Sequence, residues 1–134
     1  NFLIGLHKPI IKFDFNDVTF LNTNKSYLES ILLNLLTNSI KYKSDSRKLK
    51  ININCSRLDD DTVVLTFGDN GTGIDLDKNR DKIFGLYQRF HDYSDSKGLG
   101  LYLVKSQVET MGGTISIESK VNVGTTFILT FKNK

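Results

Sequence analysis

Cysteine, proline, methionine and tryptophan are nearly missing from this chain: its 134 residues include one Cys, one Pro, one Met and no Trp. With Cys55 the sole cysteine and His7 and His91 the only histidines, an internal disulfide is excluded and no Cys/His set has zinc spacing. That usage fits a reducing, cytoplasmic setting. No apolar run approaches the ~20 residues that cross a bilayer. Asn1 opens no signal peptide, and without an initiator methionine the chain reads as a piece of a longer protein whose other parts are free to carry a membrane anchor. Runs of one charge are also lacking. Eighteen Lys and Arg are scattered among fifteen Asp and Glu for a net charge of +3, and a pI near 9.0 without a basic stripe does not describe a nucleic-acid binder. It suits a small anionic ligand.

What is present is a good core. Hydrophobic residues make up 39% of the chain, enough for one domain over 1–134 and too few residues for two. Ile10–Phe15, after Pro9, reads as an edge strand. Ser26-Tyr-Leu-Glu29 has the form of a capping box, and Leu28, Ile31, Leu32, Leu35 and Leu36 follow at helical spacing, predicting a long helix over Tyr27–Tyr42. Leu49–Cys55 and Val63–Phe67 alternate around Asp59-Asp60-Asp61 as an antiparallel hairpin. From Leu76 to Lys97 the chain is polar and aperiodic, the pattern of a lid, with a short helix expected near Ile83–Phe90. A second helix follows Gly98, carries Leu101, Val104, Val108 and Met111 on one face, and stops at Gly112-Gly113. Ile115–Ile117 and Phe127–Phe131 give two last strands. Helices and hairpins in this order predict a mixed, mainly antiparallel sheet with helices on one face, a two-layer α/β sandwich.

Three places carry candidate chemistry. On the first helix Asn34, Asn38 and Lys41 fall within about 60° of one another at 100° per residue. Asparagine disfavours helix interiors, so two at this spacing point to a use, such as an amide oxygen for magnesium and an ammonium for phosphate; the alternative is a plain solvated face. Asp69-x-Gly71-x-Gly73 sets a carboxylate at a strand end beside glycine backbone, either a ligand pocket or a simple turn. Asp95-Ser-Lys-Gly-Leu-Gly-Leu101 opens the second helix with uncovered N–H groups at Gly98 and Gly100, a place for phosphate or for close packing. His7 and His91 have no neighbour that would activate them.

Taken together these stretches resemble sensor histidine kinases along nearly the whole chain. Asn34-Leu-Leu-Thr-Asn38-Ser-Ile-Lys41-Tyr42 is similar to their N box, Asp69-x-Gly71-x-Gly73 to the first glycine box, Ile83-Phe84 with Phe90 to the F box, and Lys97-Gly98-Leu-Gly100-Leu to the second glycine box. The resemblance implies the catalytic ATP-binding (Bergerat) domain, a fold shared with gyrase, mismatch-repair and heat-shock-chaperone ATPases. By resemblance Asn38 binds the Mg2+ that bridges the ATP phosphates, Asn34 assists, Lys41 contacts phosphate, and Tyr42 lies by the adenine or ribose. Asp69 accepts from the adenine amino group, with Gly71, Gly73 and Ile74 shaping its pocket. Gly98, Leu99, Gly100 and Leu101 receive the phosphates, Arg89 and Lys97 help from the lid, and Thr126 completes the cofactor-binding set.

The departures are informative. Asp95 and Ser96 stand where the second glycine box usually has further glycines, and His7-Lys8-Pro9 does not match an acceptor histidine followed by an acid. The acceptor-histidine helical domain is therefore expected outside this chain, which alone would not autophosphorylate. The resemblance implies as partners that dimerisation domain of the same parent, in a homodimer, and a response-regulator receiver domain, with neither nucleic acid nor direct membrane contact. In the related ATPases a glutamate activates water one helical turn before the magnesium asparagine. Here that position is Asn34, and an amide is no general base. Phosphoryl transfer to histidine is thus favoured over hydrolysis of the gyrase or chaperone kind, and intact Asn38, Asp69 and paired glycines argue against a degenerate docking module.

Overall fold

The computed structural model describes residues 9–14, 25–80, 83–84 and 100–132. In chain order these form β1 (Ile10–Asp14), α1 (Lys25–Lys41), β2 (Lys50–Asp59), β3 (Thr62–Asp69), α2 (Leu76–Asn79), α3 (Gly100–Thr110), β4 (Thr114–Lys120) and β5 (Gly124–Lys132). The strands make one sheet in the order β1-β2-β3-β5-β4. β1 runs parallel to β2 and every other neighbouring pair is antiparallel. This is the mixed α/β sandwich that the sequence pattern predicts.

Alternation decides which face of the sheet the helices cover. Ile53 pairs with Phe67, Phe67 with Phe127 and Phe127 with Ile117, a row running across four strands. Cys55, Leu65, Leu129 and Ile115 make the next row. Ile31 and Leu35 of α1 and Val104 and Val108 of α3, all at 0% exposure, belong to the same core. Burying side chains of this size contributes roughly 1.5–3 kcal/mol each, so these rows hold the layers together. Burial also pushes the Cys55 thiol up from its ordinary pKa, which makes it a packing group and a poor nucleophile.

The boundaries refine several expectations. β1 is the parallel edge strand, its Ile10 N–H donating to the Leu49 carbonyl at 3.0 Å. α1 begins at Lys25, so Ser26 sits inside the first turn instead of capping it. A helical turn at Leu76–Asn79, which the aperiodic sequence does not suggest, is capped by Asp75, whose Oδ1 accepts from the Lys78 N–H at 3.3 Å. The short helix expected at Ile83–Phe90 falls largely outside the described residues. Within it Ile83 is buried, and Phe84 meets Phe127 edge-on at 6.4 Å.

α3 ends as its glycines require. Gly112 takes φ +77°, its N–H reaches the Glu109 carbonyl at 3.0 Å, and the Gly113 N–H reaches the Val108 carbonyl at 2.9 Å. This Schellman pair satisfies the last carbonyls of the helix and turns the chain into β4.

Candidate nucleotide site

One register step beyond the Ile53-Phe67-Phe127-Ile117 row, the helix-facing side of the sheet stays apolar at Ile51 on β2 and turns polar on β3, β5 and β4. Asp69 pairs with Thr125 and Thr125 with Ser119. The Ser119 hydroxyl shares a hydrogen bond with the Thr125 hydroxyl at 2.8 Å and accepts from the Ile74 N–H at 2.8 Å. The core thus ends in a ledge of hydroxyls and one carboxylate, roofed by the last turns of α1.

Asp69 is held from several sides. The buried Ser39 hydroxyl of α1 donates to its Oδ2 at 2.7 Å, and the Gly71 N–H donates to Oδ1 at 2.9 Å. Burial pushes its pKa up from the ordinary carboxylate value, and the hydrogen bonds from Ser39, Gly71 and the Thr125 backbone offset part of that rise. A carboxylate fixed this way still has lone pairs to accept a hydrogen bond from a ligand.

The glycines are there because backbone lies against them. A Cβ on Gly71 would stand 2.7 Å from the Tyr42 carbonyl oxygen, and one on Gly73, at φ +75°, would stand 2.1 Å from that of Lys120. The Tyr42 carbonyl in turn accepts from the Thr72 N–H at 3.0 Å and the Thr72 hydroxyl at 3.1 Å. The glycine loop is therefore sewn to the end of α1 on one side and to β4 on the other.

The other predicted residues are placed as follows. Asn34, Asn38 and Lys41 are half-buried along one edge of α1, and Lys41 has no ion-pair partner among the described residues. α3 starts at Gly100, where a Cβ would lie 3.7 Å from Asn34 Oδ1, so the amide of Asn34 faces the first turn of α3. Ile74 and Leu101 are buried in the core, and the Ile74 N–H is taken up by the Ser119 hydroxyl. Arg89, Lys97, Gly98 and Leu99 lie outside the described residues. Thr126 needs correction. It pairs with Gly68, whose added Cβ would meet its Oγ1 at 3.0 Å, which puts it on the face of the sheet away from α1. The neighbouring Thr125 is the threonine that faces Asp69.

Sequence reasoning missed three residues of this site. Ser39 occupies a core position of an otherwise Leu/Ile stripe, and a buried hydroxyl there needs a partner; that was its signal. Thr125 needed the strand register. Arg47 had no signal, because its three acceptors are backbone carbonyls in segments far along the chain.

Among the described residues no cluster of three His, Cys, Asp or Glu could hold a metal ion. A magnesium ion fits the donors that are present all the same, because it commonly takes one or two protein oxygens and completes its shell with phosphate and water. Asn38, half-buried on the edge of α1, carries an amide oxygen of that kind.

Residues 23–134 match the family described as histidine kinase-, DNA gyrase B- and HSP90-like ATPase. The chain belongs to this family, and within it to the ATP-binding catalytic domains of histidine kinases. It is 32% identical over 112 residues to the heme sensor protein HssS of Staphylococcus saprophyticus, covering 84% of this chain and 24% of that protein. It is 31% identical over 119 residues to the histidine protein kinase SaeS of Staphylococcus aureus, covering 86% and 33%. The chain thus spans about a quarter to a third of the length of these relatives. Its fold matches the full-length structure of ShkA in complex with AMPPNP at a TM-score of 0.79 and 21% identity, over 98% of this chain and 27% of ShkA.

Proposed function

We propose that this chain binds ATP with Mg2+ between α1, Asp69 and the first turn of α3, and transfers the γ-phosphoryl to a histidine on a separate helical dimerisation domain of the same parent protein. The observation that carries this reading is the Asp69 carboxylate, pinned by Ser39 and Gly71 at the polar end of the core. Such an acceptor suits the exocyclic amine of adenine. The AMPPNP bound to ShkA, an ATP analogue on a like fold, supports the same ligand class.

The residues divide the work by chemistry. Asp69 receives the base, and the close packing of Gly71 on the Tyr42 carbonyl and of Gly73 on the Lys120 carbonyl fixes the loop that carries it. Lys41 would bring an ammonium toward the phosphates, and the N-terminal end of α3 would offer N–H donors and the positive end of the helix dipole. Asn38, with Asn34 one turn before it, would hold magnesium through its amide oxygen, and the ion would neutralise phosphate charge. In the transfer the bond from the γ-phosphorus to its bridging oxygen breaks, a phosphorus–nitrogen bond to the acceptor imidazole forms, and ADP leaves. Little acid–base work is needed, so positioning and charge neutralisation carry the rate. Asn34 lacks the basicity to activate water, which favours a histidine acceptor.

The acceptor domain, a homodimeric parent and a response-regulator receiver are the partners that follow, with the domain itself cytoplasmic. Among the described residues no helix is long and apolar enough to cross a membrane. Supplying the chain with the acceptor domain and γ-labelled ATP tests the reading. Label is expected on protein, stable in alkali and lost in acid as a phosphohistidine is; rapid release of free phosphate with no labelled protein would overturn it.

A further inference from the structure

Arg47 lies in the connection between α1 and β2, exposed and without an acidic partner among the described residues. Its guanidinium instead meets three backbone carbonyls. Nε donates to Asn70 O at 2.7 Å, and Nη2 donates to Gly71 O and to Asn122 O, each at 2.8 Å. Two of these carbonyls belong to the glycine loop and the third to the β4–β5 turn, and the choice of carbonyls is what matters here.

A peptide group is planar and trans, with its C=O and N–H pointing in opposite directions. The carbonyl of Asn70 shares its plane with the N–H of Gly71, which donates to Asp69 Oδ1 at 2.9 Å. The carbonyl of Gly71 shares its plane with the N–H of Thr72, which donates to the Tyr42 carbonyl at 3.0 Å. Two successive peptide planes are thereby held at both ends, by Arg47 on the carbonyl side and by Asp69 or Tyr42 on the amide side. Glycine at position 71 makes these planes the easiest in the loop to flip, since its φ/ψ space is the widest. A flip of the first plane would carry the Gly71 N–H away from Asp69 Oδ1, leaving that oxygen without its loop anchor and the carboxylate free to pivot about the Ser39 bond at Oδ2.

The third contact adds the β4–β5 turn. The Asn122 N–H donates to the Thr72 carbonyl at 2.7 Å while its own carbonyl accepts from Arg47. The Asn70 side chain closes the other flank, accepting from the Lys50 N–H at 2.8 Å and donating to the Lys48 carbonyl at 2.9 Å. Three segments remote in sequence are fastened at a single guanidinium.

We propose that Arg47 is a positioning residue for base recognition: by locking the Asn70–Gly71 and Gly71–Thr72 peptide planes it fixes the orientation of the Asp69 carboxylate and so sets the preference for adenine over guanine. This rests on the nucleotide site proposed above. A guanine presents a carbonyl where adenine presents its amino group, and a carboxylate held still repels the former, whereas a rotating one discriminates poorly. Lysine cannot replace the fork, because an ammonium is a single point that does not span these carbonyls.

The test is calorimetric titration of the whole chain with non-hydrolysable ATP and GTP analogues in magnesium, for the parent protein, Arg47→Gln, Arg47→Lys and Asp69→Asn, with nucleotide-free thermal unfolding alongside. Arg47→Gln and Arg47→Lys are expected to lower the ATP-to-GTP affinity ratio by roughly tenfold or more, as Asp69→Asn does, since the discriminating contact is a polar one. A merely structural role would weaken both analogues alike and leave the ratio unchanged, and that result overturns the proposal. If neither arginine variant folds, Arg47 supports the domain as a whole and the proposal also fails. Absence of any ATP-analogue binding by the parent protein would instead remove the nucleotide site itself, and a normal parent ratio with unchanged arginine variants would remove only Arg47.

Discussion

Ser39 and Asp69 are 30 positions apart, yet the Ser39 hydroxyl donates to Asp69 Oδ2 at 2.7 Å and ties the underside of α1 to the end of β3. The hydroxyl is buried at 1% exposure, so it has no water to turn to if the carboxylate is removed, and the carboxylate loses its anchor on α1 if the hydroxyl is removed. Ser39→Ala is therefore expected to weaken binding of an ATP analogue by about 5- to 20-fold and to cost about 1–3 kcal/mol of stability, the range for orphaning one buried polar partner. Titration calorimetry and urea unfolding measure the two effects. Unchanged affinity with a lowered stability would assign Ser39 to folding alone.

The pH dependence of stability follows from Asp69. Burial raises its folded-state pKa, so over a window opening near pH 4 the unfolded chain has released a proton that the native state still holds. Stability from this group is therefore greatest in acid, falls as the pH rises through the window, and levels off above the folded pKa. Asp69→Asn removes the group, so urea unfolding of the two proteins across that range should show the variant gaining on the parent as pH rises. A difference that stays flat would mean that burial does not govern this carboxylate.

Gly73 and Gly112 have nearly the same backbone angle, φ +75° and +77°, and very different surroundings. An alanine at 112 meets nothing within 4 Å, whereas one at 73 meets the Lys120 carbonyl at 2.1 Å. Gly112→Ala is expected to cost about 1 kcal/mol, the strain of a left-handed alanine. Gly73→Ala is expected to cost roughly 3 kcal/mol or more, because backbone must move as well. Chemical denaturation of both variants checks the order.

Much of this fold is legible because its periods are clean. The alternation of Ile51, Ile53 and Cys55 against Val63, Leu65 and Phe67 can only be a half-buried hairpin, and Gly112-Gly113 after Val108 can hardly be anything but a helix stop. The pairing of β1 with β2 is not legible, since a parallel partner is chosen by the remote course of the chain. The one-residue error at Thr126 has a related cause: neighbours along a strand point to opposite faces, and only the register tells Thr125 from Thr126. Asn34, Asn38 and Asp69 stand out in the sequence as residue types used against their propensity or set beside glycines. Arg47 does not, because a side chain that serves distant backbone leaves no pattern of its own.

Asn38 gives the most direct test of the central claim, that α1 and the Asp69 loop hold Mg2+ and ATP together. Titrating the parent chain and Asn38→Ala with a non-hydrolysable ATP analogue, with and without magnesium, is expected to show magnesium-dependent binding by the parent and a loss of roughly tenfold or more in that magnesium-dependent affinity in the variant. No heat from the parent chain, or the same magnesium dependence in both proteins, would contradict it.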